Sequence, residues 1–113
     1  MDLRNYHTTR TTRTRRNAMA YLEHANITVA DPDATAQMLA DLFGWRIRWA
    51  GGAIHGGRSV HVGGADTYLA VYGGPAGVTA PAGDSYSARG GLNHIGVVVD
   101  DLDAAEAAVA ARG

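Results

Sequence analysis

The sequence predicts an α+β fold in which a β-α-β-β-β module is followed by a second, incomplete copy that is β-α only. Two observations support this. Residues 91–113 repeat the layout of residues 21–43 at an offset of 70 positions, with seven identities in 23 aligned pairs. Between them, short apolar strands alternate with turns rich in Gly and Asp. Such a long offset indicates two copies of one supersecondary unit, the alternative being chance similarity between two strand-helix pairs.

The first module, residues 21–73, is predicted to begin with a strand and a helix. Tyr21–Ala30 alternates in polarity as a half-buried strand does. Asp31 is a suitable helix N-cap, and Pro32 suits the first helical position. Gly44 is expected to end the helix.

Three short strands are expected after this helix. The segments WRIRWAG, RSVHVGG and DTYLAVYGG alternate in polarity and are separated by turn residues. In the first of them, strict alternation would place Trp45, Ile47 and Trp49 on one face of the sheet. Arg46 and Arg48 would then lie on the opposite face.

A Gly-, Ala- and Pro-rich linker, residues 74–90, is expected between the modules. The partial second module, residues 91–113, is predicted to form a strand from Leu92 to Val99 and then a helix capped by Asp101. The three strands that would complete it are not in this sequence. Two explanations remain open: the chain is a piece of a longer product, or a partner chain completes the sheet.

The period of a β-strand predicts where the two repeated histidines point. In the first strand, His24 lies on the face opposite Ile27 and Val29. In the copy, His94 likewise lies on the face opposite Ile95, Val97 and Val99. The Ile/Val face is the natural one to pack under a helix, so both histidines are expected on the other face. If the two strands are adjacent, the imidazoles converge as they do in metal sites.

The segments LEHANITVADPDAT and LNHIGVVVDDLDAA resemble the opening strands and helices of the vicinal oxygen chelate superfamily. Its members include glyoxalase I, bleomycin- and fosfomycin-resistance proteins and extradiol dioxygenases. The resemblance covers residues 21–113. It implies paired βαβββ modules that form a cupped mixed sheet around a divalent metal ion. Family enzymes bind their substrates through two neighbouring oxygens on that metal.

The resemblance also implies metal ligands. His24 matches the ligand position of the first strand, and His94 matches that of the fifth. Glyoxalase I has a glutamate on the fourth strand, where this chain has Leu69, so its four-ligand site is not expected here. The two-histidine, one-carboxylate pattern of the other enzymes fits better, although its carboxylate comes from a last strand that this chain lacks. Fe, Mn, Zn and Ni are not distinguished.

The function implied is a metal-dependent enzyme with dioxygenase-, lyase- or fosfomycin-resistance-type chemistry on a small oxygen-rich molecule. The alternative is a metal-free, dimeric, antibiotic-sequestering protein of the bleomycin-resistance type. A homodimer is expected in both cases. Candidate substrate-binding residues are Asn26, Thr28, Arg58, His61 and Tyr68. Candidates for a third metal ligand within the chain are Glu23, His61 and Asp66.

Composition limits the remaining classes. The net charge is −1, but the first 18 residues carry five arginines against Asp2 alone. This Arg- and Thr-rich stretch is expected to be a disordered tail, or the result of a start assigned too early, with Met19 as the true start. Residues 19–113 are expected to form one domain. Because cysteine is absent, disulfides and thiolate metal sites are excluded. A cytoplasmic protein that binds neither nucleic acid nor membrane is expected.

Overall fold

The structure, a computed structural model, describes residues 19–80 and 83–113. The elements in chain order are β1 (His24–Thr28), α1 (Pro32–Phe43), β2 (Arg46–Gly52), β3 (Arg58–Gly63), β4 (Tyr68–Gly73) and α2 (Leu102–Arg112), with short 3-10 turns at Ile54–Gly56 and Ser85–Ser87. The α+β class and the β-α-β-β-β order of the first module are therefore confirmed. The expected N-terminal tail, residues 1–18, lies outside the described residues.

The four strands form one mixed sheet in the order β1-β4-β3-β2. β1 runs parallel to β4, with His24 opposite Tyr68, and the remaining pairs are antiparallel. Two backbone hydrogen bonds extend the parallel pair beyond β1: Tyr68 N donates to Glu23 O at 3.0 Å and Val29 N donates to Tyr72 O at 2.8 Å. The first and last strands of the module thus meet, and β4 lies inside the sheet.

The core lies between α1 and one face of this sheet. Ala36 of α1 is fully buried, and beneath it lie the buried side chains of the two inner strands, Val60, Val62, Leu69 and Val71. The apolar residues of β1 and its end, Ala25, Ile27 and Val29, pack against the same cluster. This arrangement confirms that the Ile/Val face of the first strand lies under the helix. Each buried valine or leucine contributes about 1.5–3 kcal/mol through removal from water.

Both helices begin where the sequence predicts. The Asp31 side chain accepts a hydrogen bond from Ala34 N at 3.1 Å, and the Asp101 side chain accepts one from Ala104 N at 3.0 Å. Each aspartate satisfies a backbone N–H that has no partner within its helix. α1 ends at Gly44, whose φ of 68° is left-handed and whose N–H donates to Ala40 O.

The strand expected from Leu92 to Val99 does not form in this chain. These residues have no secondary structure, and Val98 is 99% exposed. A strand needs a neighbour that pairs with its backbone, and among the described residues β1 pairs only with β4. Val97 and Val99, which are partly buried, instead border a cavity of about 330 Å³ beside Phe43 and Trp45.

The expected alternation of β2 is also interrupted. Ile47 pairs with Val62, yet the next pair joins Trp49 to His61, so Arg48 is an extra residue at a β-bulge. Ile47 therefore keeps the helix side, whereas Trp49 moves to the opposite side. The prediction that Trp49 shares a face with Ile47 is wrong, because the bulge shifts the phase of the strand by one residue.

Two adjacent glycines at the end of β3 differ in how closely the β3–β4 turn packs against them. A Cβ added to Gly63 would overlap the carbonyl oxygen of Thr67 and the backbone of Tyr68, neither of which can move aside easily. A Cβ added to Gly64 would meet nothing within 4 Å. We expect Gly63→Ala to lower the free energy of unfolding by about 1–3 kcal/mol. Gly64→Ala should change it by less than about 0.5 kcal/mol. Urea denaturation of both variants checks this, and equal losses would contradict the register of the turn.

Candidate ligand-binding face

The sheet face opposite α1, here called the helix-free face, carries a row of four rings, one from each strand. From β1 to β2 in sheet order, the rings are His24, Tyr68, His61 and Trp49. We call this set the ring row. His24 stands on this face, as its strand period predicted, because its neighbours in β1 alternate toward the core.

The spacing of the ring row follows from the spacing of the strands. Ring centroids are 4.9 Å apart for His24 and Tyr68, 4.7 Å for Tyr68 and His61, and 4.9 Å for His61 and Trp49. Paired strands lie about 4.7–4.9 Å apart. His24 is directly opposite Tyr68 and Trp49 is directly opposite His61. Tyr68 and His61 meet diagonally, since Tyr68 is opposite Gly63 and His61 is opposite Ala70. The planes of the first two rings are nearly parallel, with an angle of 7° between them, whereas the Trp49 ring is tilted by 49° from His61.

The bulge in β2 brings a positive charge to the same face. The guanidinium carbon of Arg48 lies 4.5 Å from the centroid of the Tyr68 ring, a cation–π contact. The Nη1 atom of Arg48 is buried, and it has no hydrogen-bond partner among the described residues. A buried guanidinium nitrogen without an acceptor is uncommon, because its desolvation is not compensated.

A carboxylate flanks the other end of the ring row. The Glu23 Oε1 atom lies 3.3 Å from His24 Nδ1, and both side chains are largely buried, at 16% and 23% exposure. When Nδ1 carries the proton, it donates to Glu23, and Nε2 is then the acceptor nitrogen of the His24 ring. This tautomer is the one that suits a metal-ligating or proton-accepting histidine.

The central histidine of the ring row is held in its neutral form. Burial lowers the pKa of His61 below its usual value, and the nearby charges of His24 and Arg48 lower it further, while Glu23 opposes them. Near neutral pH, His61 is therefore an uncharged ring between Tyr68 and Trp49. One of its nitrogens can donate a hydrogen bond and the other can accept one.

The structure brings together some of the expected substrate-binding residues and separates one. Asn26 and Thr28 follow His24 along β1 on the helix-free face, where both are exposed. Arg58 lies on the helix side of β3, in phase with Val60. Its Nε and Nη2 atoms donate to the carboxylate of Asp33 at 2.8 and 2.9 Å. This hydrogen bond lowers the pKa of Asp33, and Arg58 connects β3 to α1 away from the ring row.

The sequence predicted that His94 lies on a strand next to His24, but in the structure it does not. It is exposed and belongs to the stretch without secondary structure. Across residues 19–80 and 83–113, no group of three or more His, Cys, Asp or Glu side chains is placed to hold a metal ion. The described residues therefore do not assemble the complete ligand set that the family resemblance implies.

Sequence reasoning missed the part that Arg48 and Trp49 play on this face. Alternation placed them on opposite sides, whereas the bulge lets Arg48 reach Tyr68 and Trp49 reach His61. The sequence gives no local sign of the bulge, because the residue at its position is Arg48 and not the glycine that marks one class of bulge. Only the pairing of β2 with β3 reveals it.

The fold and its helix-free face define a sheet module of the vicinal oxygen chelate type, and comparison with known proteins agrees. A sequence model of the Glyoxalase/Bleomycin resistance protein/Dioxygenase superfamily matches residues 21–113. The chain therefore belongs to this superfamily. The crystal structure of a protein designated SMU.1112c has the same fold, with a TM-score of 0.64 and 18% identity over 83% of this chain and 75% of that one. No curated protein matches the chain.

The described part of the chain contains no candidate membrane-spanning helix. Within the described ranges, neither helix has the length and apolar character needed to span a bilayer.

The lowered pKa of His61 predicts a pH-dependent stability. In the unfolded chain His61 takes up a proton more readily than in the folded protein, so stability should fall as the pH drops through about 6.5. His61→Phe keeps a ring in the row but cannot titrate. We expect the variant to lose less stability than the parent chain between pH 8 and pH 5.5.

Urea denaturation at several pH values measures this difference. At pH 8 His61 is neutral in both states, so the two proteins provide their own reference there. Parallel pH profiles for the parent chain and His61→Phe would contradict the burial of His61 in the ring row.

Proposed function

We propose that the helix-free face binds a small oxygen-rich molecule whose flat part lies against the ring row. The observation that carries the proposal is the alignment of four rings across four neighbouring strands, with centroid spacings of 4.7–4.9 Å. Trp49 at one end is 48% exposed, so a ligand can reach its ring without unfolding the sheet. Stacking on aromatic rings adds about 0.5–1.5 kcal/mol beyond the area buried.

Polar groups beside the ring row provide direction to this binding. Neutral His61 can donate and accept, and the exposed Asn26 and Thr28 offer further donors and acceptors on β1. Ligand sites typically combine an apolar surface with a few placed polar groups. This composition supports a binding protein of the bleomycin-resistance type, with a second copy of the chain covering the face in a homodimer.

A divalent-metal-dependent enzyme is the second candidate. It is favoured by His24, which occupies the ligand position that the family resemblance assigns and which has Glu23 beside its Nδ1 atom. A bound metal ion would supply Lewis-acid or oxygen-activating chemistry. His94 is the proposed second ligand. The described residues alone do not fit the ion, so this function requires ligands from elsewhere, such as a partner chain.

Catechol is a suitable probe, because it is flat, uncharged at neutral pH and has two neighbouring oxygens. Saturation-transfer NMR should detect its binding to the full chain. Trp49→Ala should weaken that binding by about two- to tenfold through loss of ring contact. Tyr86→Ala is the matched control, since Tyr86 is 74% exposed and lies in the Ser85–Ser87 turn. This control should bind as the parent does.

Adding Mn²⁺ separates the two candidates. Tighter catechol binding with Mn²⁺, abolished by His24→Ala, would favour the metal-dependent enzyme. Binding that is unchanged by Mn²⁺ would favour the metal-free binding protein. If the parent chain shows no saturation transfer to catechol in either condition, the proposed function is refuted.

A further inference from the structure

We infer that the ligand of the helix-free face is a planar carboxylate and that Arg48 is its anchor. This inference rests on the proposed function and specifies its substrate class. The observation behind it is the Nη1 atom of Arg48, which is buried and has no acceptor among the described residues, while its guanidinium lies against the Tyr68 ring.

An arginine in this position is prepared for an anion. The face of Tyr68 supports the guanidinium cation of Arg48 without accepting a conventional hydrogen bond. A buried N–H with no acceptor is costly, and a ligand that supplies the acceptor removes that cost. Carboxylates fit a guanidinium best, because their two oxygens match its planar fork.

The surroundings select a flat ligand rather than a compact anion. Arg48 lies over Tyr68, the second ring of the row, and His61 and Trp49 continue the row beyond it. A carboxylate at Arg48 would therefore place any attached ring beside these side chains, of which Trp49 is 48% exposed. An acetate ion would satisfy the charge but would make no contact with these rings.

The groups near Arg48 differ in how strongly they would repel an anion. Glu23 is an acidic group at the β1 end of the ring row, and its Oε1 atom lies 3.3 Å from His24 Nδ1. Its carboxylate therefore opposes an anion chiefly at the β1 end. Neutral His61 adds a donor without adding charge. The β2 end, which has Arg48 and the half-exposed Trp49, is therefore the part of the face that favours a ring bearing a carboxylate.

Benzoate, benzamide and acetate form a matched set of probes, to be titrated into the full chain by calorimetry or ligand-observed NMR. Benzamide keeps the ring and shape of benzoate without the charge, and acetate keeps the charge without the ring. We expect benzoate to bind about tenfold more tightly than either. Arg48→Gln should abolish the preference for benzoate over benzamide, and Arg48→Lys should restore only part of it.

Arg46→Gln is the control variant, since it removes the same charge from an exposed position two residues earlier in β2. It should keep the preference for benzoate. Circular dichroism verifies that each variant is folded. Equal binding of benzoate and benzamide by the parent chain overturns the inference, as does an equal loss in Arg46→Gln and Arg48→Gln. Failure of benzoate to bind also overturns it, whereas catechol binding decides the proposed function independently.

Discussion

The parallel pairing of β1 with β4 is the constraint on which both faces of the module depend. His24 lies opposite Tyr68 in this ladder, and backbone hydrogen bonds from Tyr68 N and Val29 N extend it at either end. A parallel pair cannot be joined by a tight turn, so the chain must cross over between the two strands. α1 lies in that crossover and packs back on the sheet, which buries Ala36 against the inner strands. The core and the ring row thus share a single register.

The inner strands use their alternation for two different purposes. Val60 and Val62 of β3 face α1 and are nearly inaccessible, whereas His61 between them faces away. β4 repeats the division, with Leu69 toward the helix and Tyr68 toward the ring row. Each strand contributes one ring to the row, and each ring is directly opposite or diagonal to the next, so neighbouring rings are in contact. A register slip by one residue would exchange the two faces and lose both the core and the ring row.

The sequence pattern correctly predicted the features that depend on neighbouring residues alone. The Asp31 and Asp101 caps, the end of α1 at Gly44 and the two faces of β1 follow from residue type and period alone. The position of Trp49 could not be obtained in this way, because a bulge is set by how β2 pairs with β3. The same holds for the metal site: the period of the strand places His24, but convergence with a second ligand depends on contacts distant in sequence.

The internal repeat shows, within one chain, the difference between local interactions and contacts between residues distant in sequence. Both copies carry the same strand-helix pattern, and both form the helix, since a helix satisfies its backbone hydrogen bonds internally and each copy has its aspartate cap. Only the first copy forms the strand, because β4 is available to pair with β1. α2 reaches α1 through Arg112, whose Nη1 atom lies 3.7 Å from the Asp41 carboxylate. The strand of the second copy has the apolar residues of a sheet member, and pairing with another strand is what it lacks.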